Sequence, residues 1–169
     1  MQLYLIRHGL AGEHGSYAND AERPLTPEGQ RKTRACAKRL ATLGTSFQLI
    51  LTSPLVRARQ TAQILQEQGL STQLQDFALL APGGSFPAWL EWLQQWQANQ
   101  ARNSQVGNLA LVGHNPDLSD WAETLIWGEA RGVFVLKKAG VISLELPDSG
   151  SPVGRSLLTA LLTPKVLVS

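Results

Sequence analysis

Residues 2–9 read QLYLIRHG, and this stretch decides how the rest of the chain is interpreted. Its first part, 2–6, has the apolar character of a buried strand. Arg7 and His8 then interrupt the apolar run abruptly, and Gly9 follows. Such an end either marks the protein surface, where short strands usually end in polar residues, or places a cation and an imidazole at a ligand site. The remainder of the chain distinguishes these two interpretations.

The composition is that of an ordinary globular protein. The chain has 169 residues, 43% hydrophobic and 17% charged, so we expect a single domain spanning residues 1–169. A net charge of +2 is too small to indicate nucleic-acid binding. The single cysteine, Cys36, excludes an intramolecular disulfide and a cysteine-rich metal site. The sequence shows no secretory signal and no apolar stretch of membrane-spanning length, so we expect a cytoplasmic protein without membrane association.

Strand-like and helix-like segments alternate along the chain. The predicted strands are 2–6, 47–51, 74–80, 109–112, 133–136, 140–146 and 156–162. The predicted helices are 27–43, 54–68, 86–101 and 116–127. This alternation predicts a three-layer α/β sandwich around a mostly parallel sheet. The last two strands, joined by a loop at 147–154, predict an antiparallel edge and hence a mixed sheet.

Three of the predicted strands are followed by residues that suit a ligand site. These residues are Arg7 and His8 after the first strand, Ser53 and Arg57 after the second, and His114 and Asn115 after the strand at 109–112. Because ligands bind outside the carboxyl ends of parallel strands, we expect two arginines and two histidines to converge at one edge of the sheet. The agreement of three strand ends favours a shared site over unrelated surface residues.

The residue types at these strand ends favour a phosphoryl group. A phosphoryl group carries roughly two negative charges near neutral pH, and arginine presents a planar fork of donors that matches its oxygens. Helix N-termini after Ser53 and Asn115 would add backbone N–H donors. One imidazole can attack phosphorus while the other donates hydrogen bonds. Zinc is the competing interpretation, but two guanidiniums would repel it and no third ligand is evident. We expect a phosphate site without metal or cofactor.

Three motifs resemble those of a known family. LIRHG at 5–9, SPLVRARQT at 53–61 and LVGHN at 111–115 resemble, in order and spacing, the histidine phosphatase (phosphoglycerate mutase-like) superfamily. The short chain and RPLTPEG at 23–29 look most like the SixA-type phosphohistidine phosphatases of that superfamily. The resemblance implies a phosphoglycerate mutase-like fold. It also implies hydrolysis of phosphohistidine in a phosphorylated protein, through a phosphohistidine enzyme intermediate and without a cofactor.

The resemblance implies roles for individual residues. The catalytic set would be His8 as the nucleophile, with Arg7, Arg57 and His114 around the phosphoryl group. The expected substrate-binding residues are Arg23, Ser53 and Asn115. Arg23 has an alternative interpretation as a solvated loop residue. A nucleophilic imidazole must be neutral, and neighbouring arginines disfavour its protonated form, so the assignment is physically consistent.

One segment departs from the pattern of the larger relatives, which carry a proton-donating carboxylate after the third strand. The corresponding segment here, LAPGG at 80–84, has no acid. An alkoxide leaving group needs a proton donor, whereas the imidazole of a phosphohistidine can leave with a proton on its other nitrogen. The departure therefore favours an N–P substrate, with Glu13, Asp20 and Glu91 as candidate replacement acids.

Alternative functions remain open from the sequence. The chain could instead be a small-molecule phosphomonoesterase on the same scaffold, or an adaptor that binds phosphorylated partners with little or no turnover. Mutase activity is not expected, because the general acid is missing from 80–84. The identity of the phosphoprotein stays open, and a monomer is favoured.

Other side chains have structural interpretations. Helix 27–43 has a basic face, expected to be solvated or to dock an acidic partner, and an opposite face with Cys36 and Leu43 expected in the core. Trp89, Trp92 and Trp96 recur at helical spacing, which predicts core packing, with an apolar docking patch as the alternative. His14 is expected at the surface.

Overall fold

The computed structural model describes residues 1–102 and 107–168. The strands are β1 (Gln2–Arg7), β2 (Leu49–Thr52), β3 (Leu74–Asp76), β4 (Leu109–Gly113), β5 (Val141–Glu145) and β6 (Leu157–Leu162). The helices are α1 (Pro27–Thr42), α2 (Val56–Glu67), α3 (Phe86–Arg102), α4 (Asp117–Trp127) and α5 (Pro164–Leu167), with 3₁₀ turns at Asp20–Glu22 and Ala78–Leu80. No helix in the described ranges is both long enough and apolar enough to cross a membrane.

The strands form one mixed sheet in the order β3-β2-β4-β1-β5-β6. Parallel pairing joins β1 to β4, β4 to β2, and β2 to β3. Antiparallel pairing joins β1 to β5 and β5 to β6, which confirms the predicted antiparallel edge. Because β1, β2 and β4 are parallel neighbours, their carboxyl ends meet at the same edge of the sheet.

Two apolar clusters cover the two faces of the sheet. On one face, Leu3, Leu5 and their neighbours pack against Trp89 of α3 and Trp121 of α4. On the other face, Ile6 belongs to a cluster supplied by α1, α2 and α5. Side chains of β1 alternate between the two clusters, as the period of two in a strand requires. The result is the predicted three-layer α/β sandwich.

The start of α1 follows its sequence signals. The Thr26 hydroxyl accepts a hydrogen bond from the Gly29 N–H at 3.0 Å, and Pro27 is the first helical residue. Cys36 is buried as expected, and burial raises the pKa of its thiol to about 11, so it is an unreactive core residue. Leu43, which the helical pattern places on the core side, is 57% exposed, because α1 ends at Thr42 and Leu43 lies beyond the amphipathic repeat.

The tryptophans of α3 belong to the core to different degrees. Trp89 is fully buried, and its ring stacks on that of Trp121 with centroids 5.2 Å apart. Trp92 and Trp96 stack on each other at 5.9 Å and are partly buried against the same cluster. Core packing, the first of the two interpretations of this spacing, therefore describes all three rings.

Several predicted boundaries shift in the structure. The second strand begins at Leu49 rather than at residue 47, and the third ends at Asp76, where a 3₁₀ turn follows. The second helix begins at Val56 rather than at residue 54, because the Ser53 hydroxyl accepts a hydrogen bond from the Leu55 N–H at 3.3 Å before the helix starts. The shifts of two residues at the starts of the second strand and the second helix are ordinary for such ends. The third strand is four residues shorter than predicted, because the 3₁₀ turn Ala78–Leu80 takes up its expected end.

The predicted strand at 133–136 is absent from the structure. The N–H groups of Val133 and Phe134, which a strand would pair with a neighbour, donate instead to one carboxylate oxygen of Glu123 at 2.7 and 2.6 Å. The N–H groups of Arg131 and Gly132 donate to the other oxygen. Residues 131–139, called the strap below, therefore form an irregular segment held by a buried carboxylate of α4.

Replacing Glu123 with glutamine tests this anchor. The side chain is fully buried, and although burial alone would raise its pKa, the four hydrogen bonds outweigh burial and lower it. In glutamine, an NH₂ group would take the place of one carboxylate oxygen and would face two backbone N–H groups that then lack an acceptor. We therefore expect the free energy of unfolding to fall by about 3 kcal/mol at pH 7. Urea denaturation measures the loss.

The pH dependence and a neighbouring control sharpen this test. Because the folded-state pKa of Glu123 is depressed, its contribution is complete above the unfolded-state pKa and is lost as pH falls through the folded-state value. The difference between wild type and Glu123→Gln should therefore shrink in acid. Glu129→Gln removes an exposed carboxylate paired with Arg131 and should leave the unfolding midpoint nearly unchanged. Equal losses in both variants would show that Glu123 has no special role.

Candidate active site

His8 follows β1 and is buried at the carboxyl edge of the sheet. Its Nδ1 lies 2.7 Å from the carbonyl oxygen of Gly9. A carbonyl oxygen only accepts, so this contact assigns the proton to Nδ1 and leaves the lone pair on Nε2. The ring of His114, which follows β4, lies 5.1 Å away between centroids. The structure thus brings the two histidines together and fixes the tautomer of one.

Both imidazoles are neutral at physiological pH. The pKa of His8 is lowered to about 3, mainly by burial. The charges of Arg57 and Arg7 also lower it, whereas the hydrogen bond to the Gly9 carbonyl favours the charged form and raises it. Burial and the charge of Arg57 lower the pKa of His114 to about 4. A neutral imidazole with an available lone pair is the form in which histidine acts as a nucleophile.

Gly9 allows the chain to turn tightly after His8. A Cβ at this position would lie 2.3 Å from the Thr33 hydroxyl of α1, so no larger residue fits without movement. The Gly9 N–H donates to the Thr61 hydroxyl at 3.0 Å, and that hydroxyl donates to the Arg57 carbonyl at 2.8 Å. Thr61 therefore connects the turn that carries His8 to the helix that carries Arg57. No role for Thr61 follows from the sequence, although it belongs to the SPLVRARQT motif.

Arg7 is held by the strap. One of its terminal nitrogens donates to the Leu136 carbonyl at 3.0 Å, and the Ala139 N–H donates to the carbonyls of Arg7 and His8, each at 3.1 Å. Ala139 has φ of 59°, an uncommon conformation for a residue other than glycine. The Nε of Arg7 is buried and has no hydrogen-bond partner among the described residues. The guanidinium is therefore positioned, and one of its N–H donors is unpaired among the described residues.

Arg57 and Arg23 share Asp20. A terminal nitrogen of Arg57 lies 3.0 Å from the Asp20 carboxylate, and another donates to the Asp20 carbonyl at 2.8 Å. Arg23 pairs with the same carboxylate at 2.9 Å and donates to the Gly12 carbonyl at 2.8 Å. Arg23 is buried, so it is not the solvated loop residue of the alternative interpretation. The Nε of Arg57 is buried and has no partner in the part of the chain that the structure describes.

Ser53 and Asn115 lie beside the histidines and the strap. The Ser53 hydroxyl is fully buried and lies 2.8 Å from Nε2 of His114, so its contact is with the imidazole. The side-chain amide of Asn115 donates to the Leu136 carbonyl at 3.2 Å, the same oxygen that Arg7 contacts. The geometry indicates that both side chains position their neighbours. Their predicted contact with substrate, like the catalytic roles of the other residues, stays a prediction.

Of the three candidate acids, Asp20 contacts the residues expected to bind phosphate. The hydrogen bond from Arg23 is the main reason that the pKa of Asp20 is lowered to about 2. The hydrogen bond from His14 and the charge of Arg57 lower this pKa further, and together these effects outweigh burial, which raises it. Asp20 is therefore an anion in the free pocket, where it has no proton to donate. Glu13 and Glu91 are exposed. His14 is also exposed, with Nδ1 3.0 Å from the Asp20 carboxylate.

A further carboxylate reaches the loop that lacks an acid of its own. The Asp117 carboxylate, in the first turn of α4, accepts a hydrogen bond from the Gly83 N–H at 2.8 Å. The sequence does not predict a role for Asp117, because its contact joins segments 34 positions apart. Across the described ranges, no group of three or more His, Cys, Asp or Glu side chains is arranged to hold a metal ion. The arrangement suits nucleophilic attack on an anion by neutral His8, which lies within the electrostatic influence of Arg7 and Arg57.

Sequence comparison identifies relatives over most of the chain. The family model described as histidine phosphatase superfamily (branch 1) matches residues 3–105. An uncharacterized protein of Picosynechococcus sp. is 48% identical over 144 residues, which cover 85% of this chain and 84% of that protein. Phosphohistidine phosphatase SixA of Escherichia coli is 28% identical over 155 residues, 89% of each chain.

Structural comparison gives the same family. The solved structure of the protein histidine phosphatase SixA complexed with tungstate aligns with a TM-score of 0.81 and 25% identity, covering 98% of both chains. The solved structure of a putative α-ribazole-5′-P phosphatase of Escherichia coli aligns with a TM-score of 0.70 and 21% identity, again over 98% of both chains. The second likeness shows the fold alone. The fold is the phosphoglycerate mutase-like sandwich, and phosphatases with different named substrates share it.

Proposed function

Because this chain belongs to the histidine phosphatase superfamily, we propose that it hydrolyses phosphohistidine in proteins, with His8 as the nucleophile. The observation that carries the proposal is the state of His8: a buried, neutral imidazole whose Nδ1 proton is engaged by the Gly9 carbonyl and whose Nε2 is available. The similarity to SixA along 89% of the chain supports phosphohistidine as the substrate class.

The proposed first step transfers the phosphoryl group to His8. Nε2 of His8 forms a bond to phosphorus as the bond from phosphorus to the substrate imidazole breaks, and that imidazole leaves with its electron pair. The guanidiniums of Arg7 and Arg57, each of which has an unpaired Nε among the described residues, hydrogen-bond the phosphoryl oxygens, where negative charge is concentrated. His114, held by Ser53, adds a polar group on the side facing His8.

The second step returns His8 to its starting form. Water attacks phosphorus, the bond from phosphorus to Nε2 breaks, and inorganic phosphate leaves with the proton that water loses. Both steps use charges that the protein holds fixed, so the proposal requires no metal. Asp20 neutralises part of the charge of Arg23 and Arg57, which prevents mutual repulsion of the guanidiniums before substrate enters.

A small-molecule phosphomonoesterase is the second candidate, and one contact favours it. Asp117 lies against the loop at 80–84, where larger relatives carry their proton donor, so a carboxylate is present at that segment after all. A phosphate ester would require this group to hold a proton at the time of attack. The adaptor interpretation has no such contact in its favour, since His8 is in the form needed for attack.

Chelation and anion competition test the proposed mechanism. Release of phosphate from a histidine-phosphorylated protein is expected to continue at an unchanged rate in excess EDTA, because cationic and neutral donors replace a metal ion. Tungstate or vanadate should compete with the substrate, as both are oxyanions that fit a phosphoryl pocket. Loss of activity in EDTA that a divalent ion restores would overturn the metal-free mechanism.

A further inference from the structure

A cavity lined by cations adjoins the proposed phosphoryl site. It measures about 600 Å³, and its charged lining consists of Arg7, Lys32, Lys137, Lys138 and Lys165. We call it the lysine cavity. Arg7 lines this cavity and directly precedes His8 in the chain, which places the cavity next to the proposed phosphoryl site. Its volume falls within the range of roughly 300–1,000 Å³ that is ordinary for ligand sites.

Three separate parts of the fold bring the lysines together. Lys32 comes from α1, Lys137 and Lys138 from the strap, and Lys165 from α5. The whole chain has a net charge of only +2, so this concentration of positive charge is local. Among the residues that the structure describes, none that lines the cavity bears a side-chain carboxylate.

Most of these charges lack a carboxylate partner. Lys32 pairs with Glu28 at 2.7 Å. Among the described residues, Lys137, Lys138 and Lys165 form no ion pair. Partial burial and the charges of Arg7, Arg23 and Arg57 lower the pKa of Lys138, which places its amino group in the field of the phosphoryl pocket. Clustered cations without counter-charges repel one another, and an anionic ligand would remove that repulsion.

The remaining lining of the cavity is apolar. It consists of Leu10, Ala139, Pro164 and Val168. A site for a free inorganic anion needs only charge and donors, whereas a peptide segment also presents aliphatic stems that pack on apolar surface. The combination of apolar lining and unpaired lysines therefore fits an acidic peptide segment better than an isolated phosphate.

We propose that the lysine cavity binds an acidic segment next to the phosphohistidine of a protein substrate. The inference rests on the proposed function and extends it, because it assigns a charge preference to the sequence around the scissile group. Arg7 sits at the junction, so one guanidinium contacts the phosphoryl group while the cavity beyond it receives carboxylates. Substrate choice then depends on residues outside the reacting centre.

Two synthetic phosphohistidine peptides provide the test. One carries glutamates on both sides of the phosphohistidine, and the other carries glutamines in their place. Wild-type protein should show a kcat/KM about fivefold higher for the glutamate peptide, a ratio that shrinks as salt screens the lysines. In Lys137→Gln/Lys165→Gln most of this ratio should disappear. Both side chains are exposed, so folding should be unaffected.

A matched control removes two charges elsewhere. Lys38 and Arg39 are exposed on α1 and do not line the lysine cavity. Lys38→Gln/Arg39→Gln should keep the preference for the glutamate peptide. An equal loss of preference in both double variants would show a general effect of protein charge and would overturn the proposal.

Two further measurements separate this proposal from the proposed function. Binding of an unphosphorylated glutamate peptide, measured by fluorescence anisotropy, should be weaker in Lys137→Gln/Lys165→Gln than in the wild type, whether or not the phosphopeptides are turned over. If binding weakens in this way but neither phosphopeptide is turned over, only the phosphatase proposal is contradicted. A sugar bisphosphate is compared with its monophosphate. If the lysines favour the bisphosphate and not the glutamate peptide, the cavity takes a second phosphate of a small molecule, and the proposal is wrong.

Discussion

Replacing His8 with asparagine is expected to reduce phosphate release by about a thousandfold or more, since the variant has no group able to form the covalent intermediate. Asparagine keeps an N–H that can reach the Gly9 carbonyl, the partner of Nδ1 in the wild type, so the turn after β1 should persist. The measurement is single-turnover kinetics with a labelled phosphohistidine protein. Wild-type protein trapped by rapid denaturation should carry acid-labile, base-stable phosphate on His8.

His14→Asn is the matched control for this experiment. His14 is an exposed histidine of the same chain, and its substitution should leave phosphoenzyme formation intact. Circular dichroism and thermal unfolding of both variants would exclude a folding defect as the cause of the loss. Near-full turnover by His8→Asn would contradict the nucleophile assignment and with it the proposed mechanism.

The second large effect concerns the leaving group. In the free pocket, the carboxylate nearest the arginines, Asp20, is held ionised by Arg23 and Arg57, with its pKa lowered to about 2. Loss of a general acid typically costs about a hundredfold when an alkoxide must leave. An imidazole that leaves with its own proton avoids this cost. We therefore expect kcat/KM for phosphohistidine, and for p-nitrophenyl phosphate, to exceed that for alkyl phosphates by about a hundredfold or more.

Rates for the two substrate classes should differ only in the first step. Both form the same phosphoenzyme, so burst kinetics should show a common rate of hydrolysis. Equal efficiency on sugar phosphates and phosphohistidine would reveal a proton donor and would remove the main chemical support for a phosphohistidine substrate. Asp117→Asn and Asp20→Asn then identify the donor, because each carboxylate has a distinct contact, one with Gly83 and one with the arginines.

The layers of the fold were predictable because apolar strands leave a strong signal. LIL at 49–51 and LALV at 109–112 are buried on both faces of the sheet, and such continuous apolar runs are typical of central parallel strands. Once those strands are parallel, the residues that follow them must share an edge. The juxtaposition of His8 and His114 at 5.1 Å therefore follows from local patterns and one rule of topology.

The contacts made by the strap were not predictable in the same way. The continuous apolar run VFVL at 133–136 resembles a strand, and nothing in it reveals that a carboxylate ten residues earlier, Glu123, accepts hydrogen bonds from its N–H groups. The Leu136 carbonyl accepts hydrogen bonds from Arg7 and Asn115. Because every residue type has a backbone carbonyl, the identity of residue 136 does not predict these contacts. In the sequence, Lys137 and Lys138 look like ordinary polar residues, because only the folded chain brings them to the same cavity as the lysines of α1 and α5.

The low pKa values of the two histidines determine whether the imidazoles or the phosphate ligand take up a proton when the pH falls. His8 and His114 have pKa values of about 3 and about 4, so neither gains a proton until the medium is strongly acidic. A phosphate monoester, the substrate class of the second candidate function, takes up a proton near about pH 6. Around neutrality, therefore, these two side chains keep a constant charge while a monoester ligand changes its own. A shift in pH near neutrality would therefore alter the ionisation of such a ligand and not that of the two imidazoles.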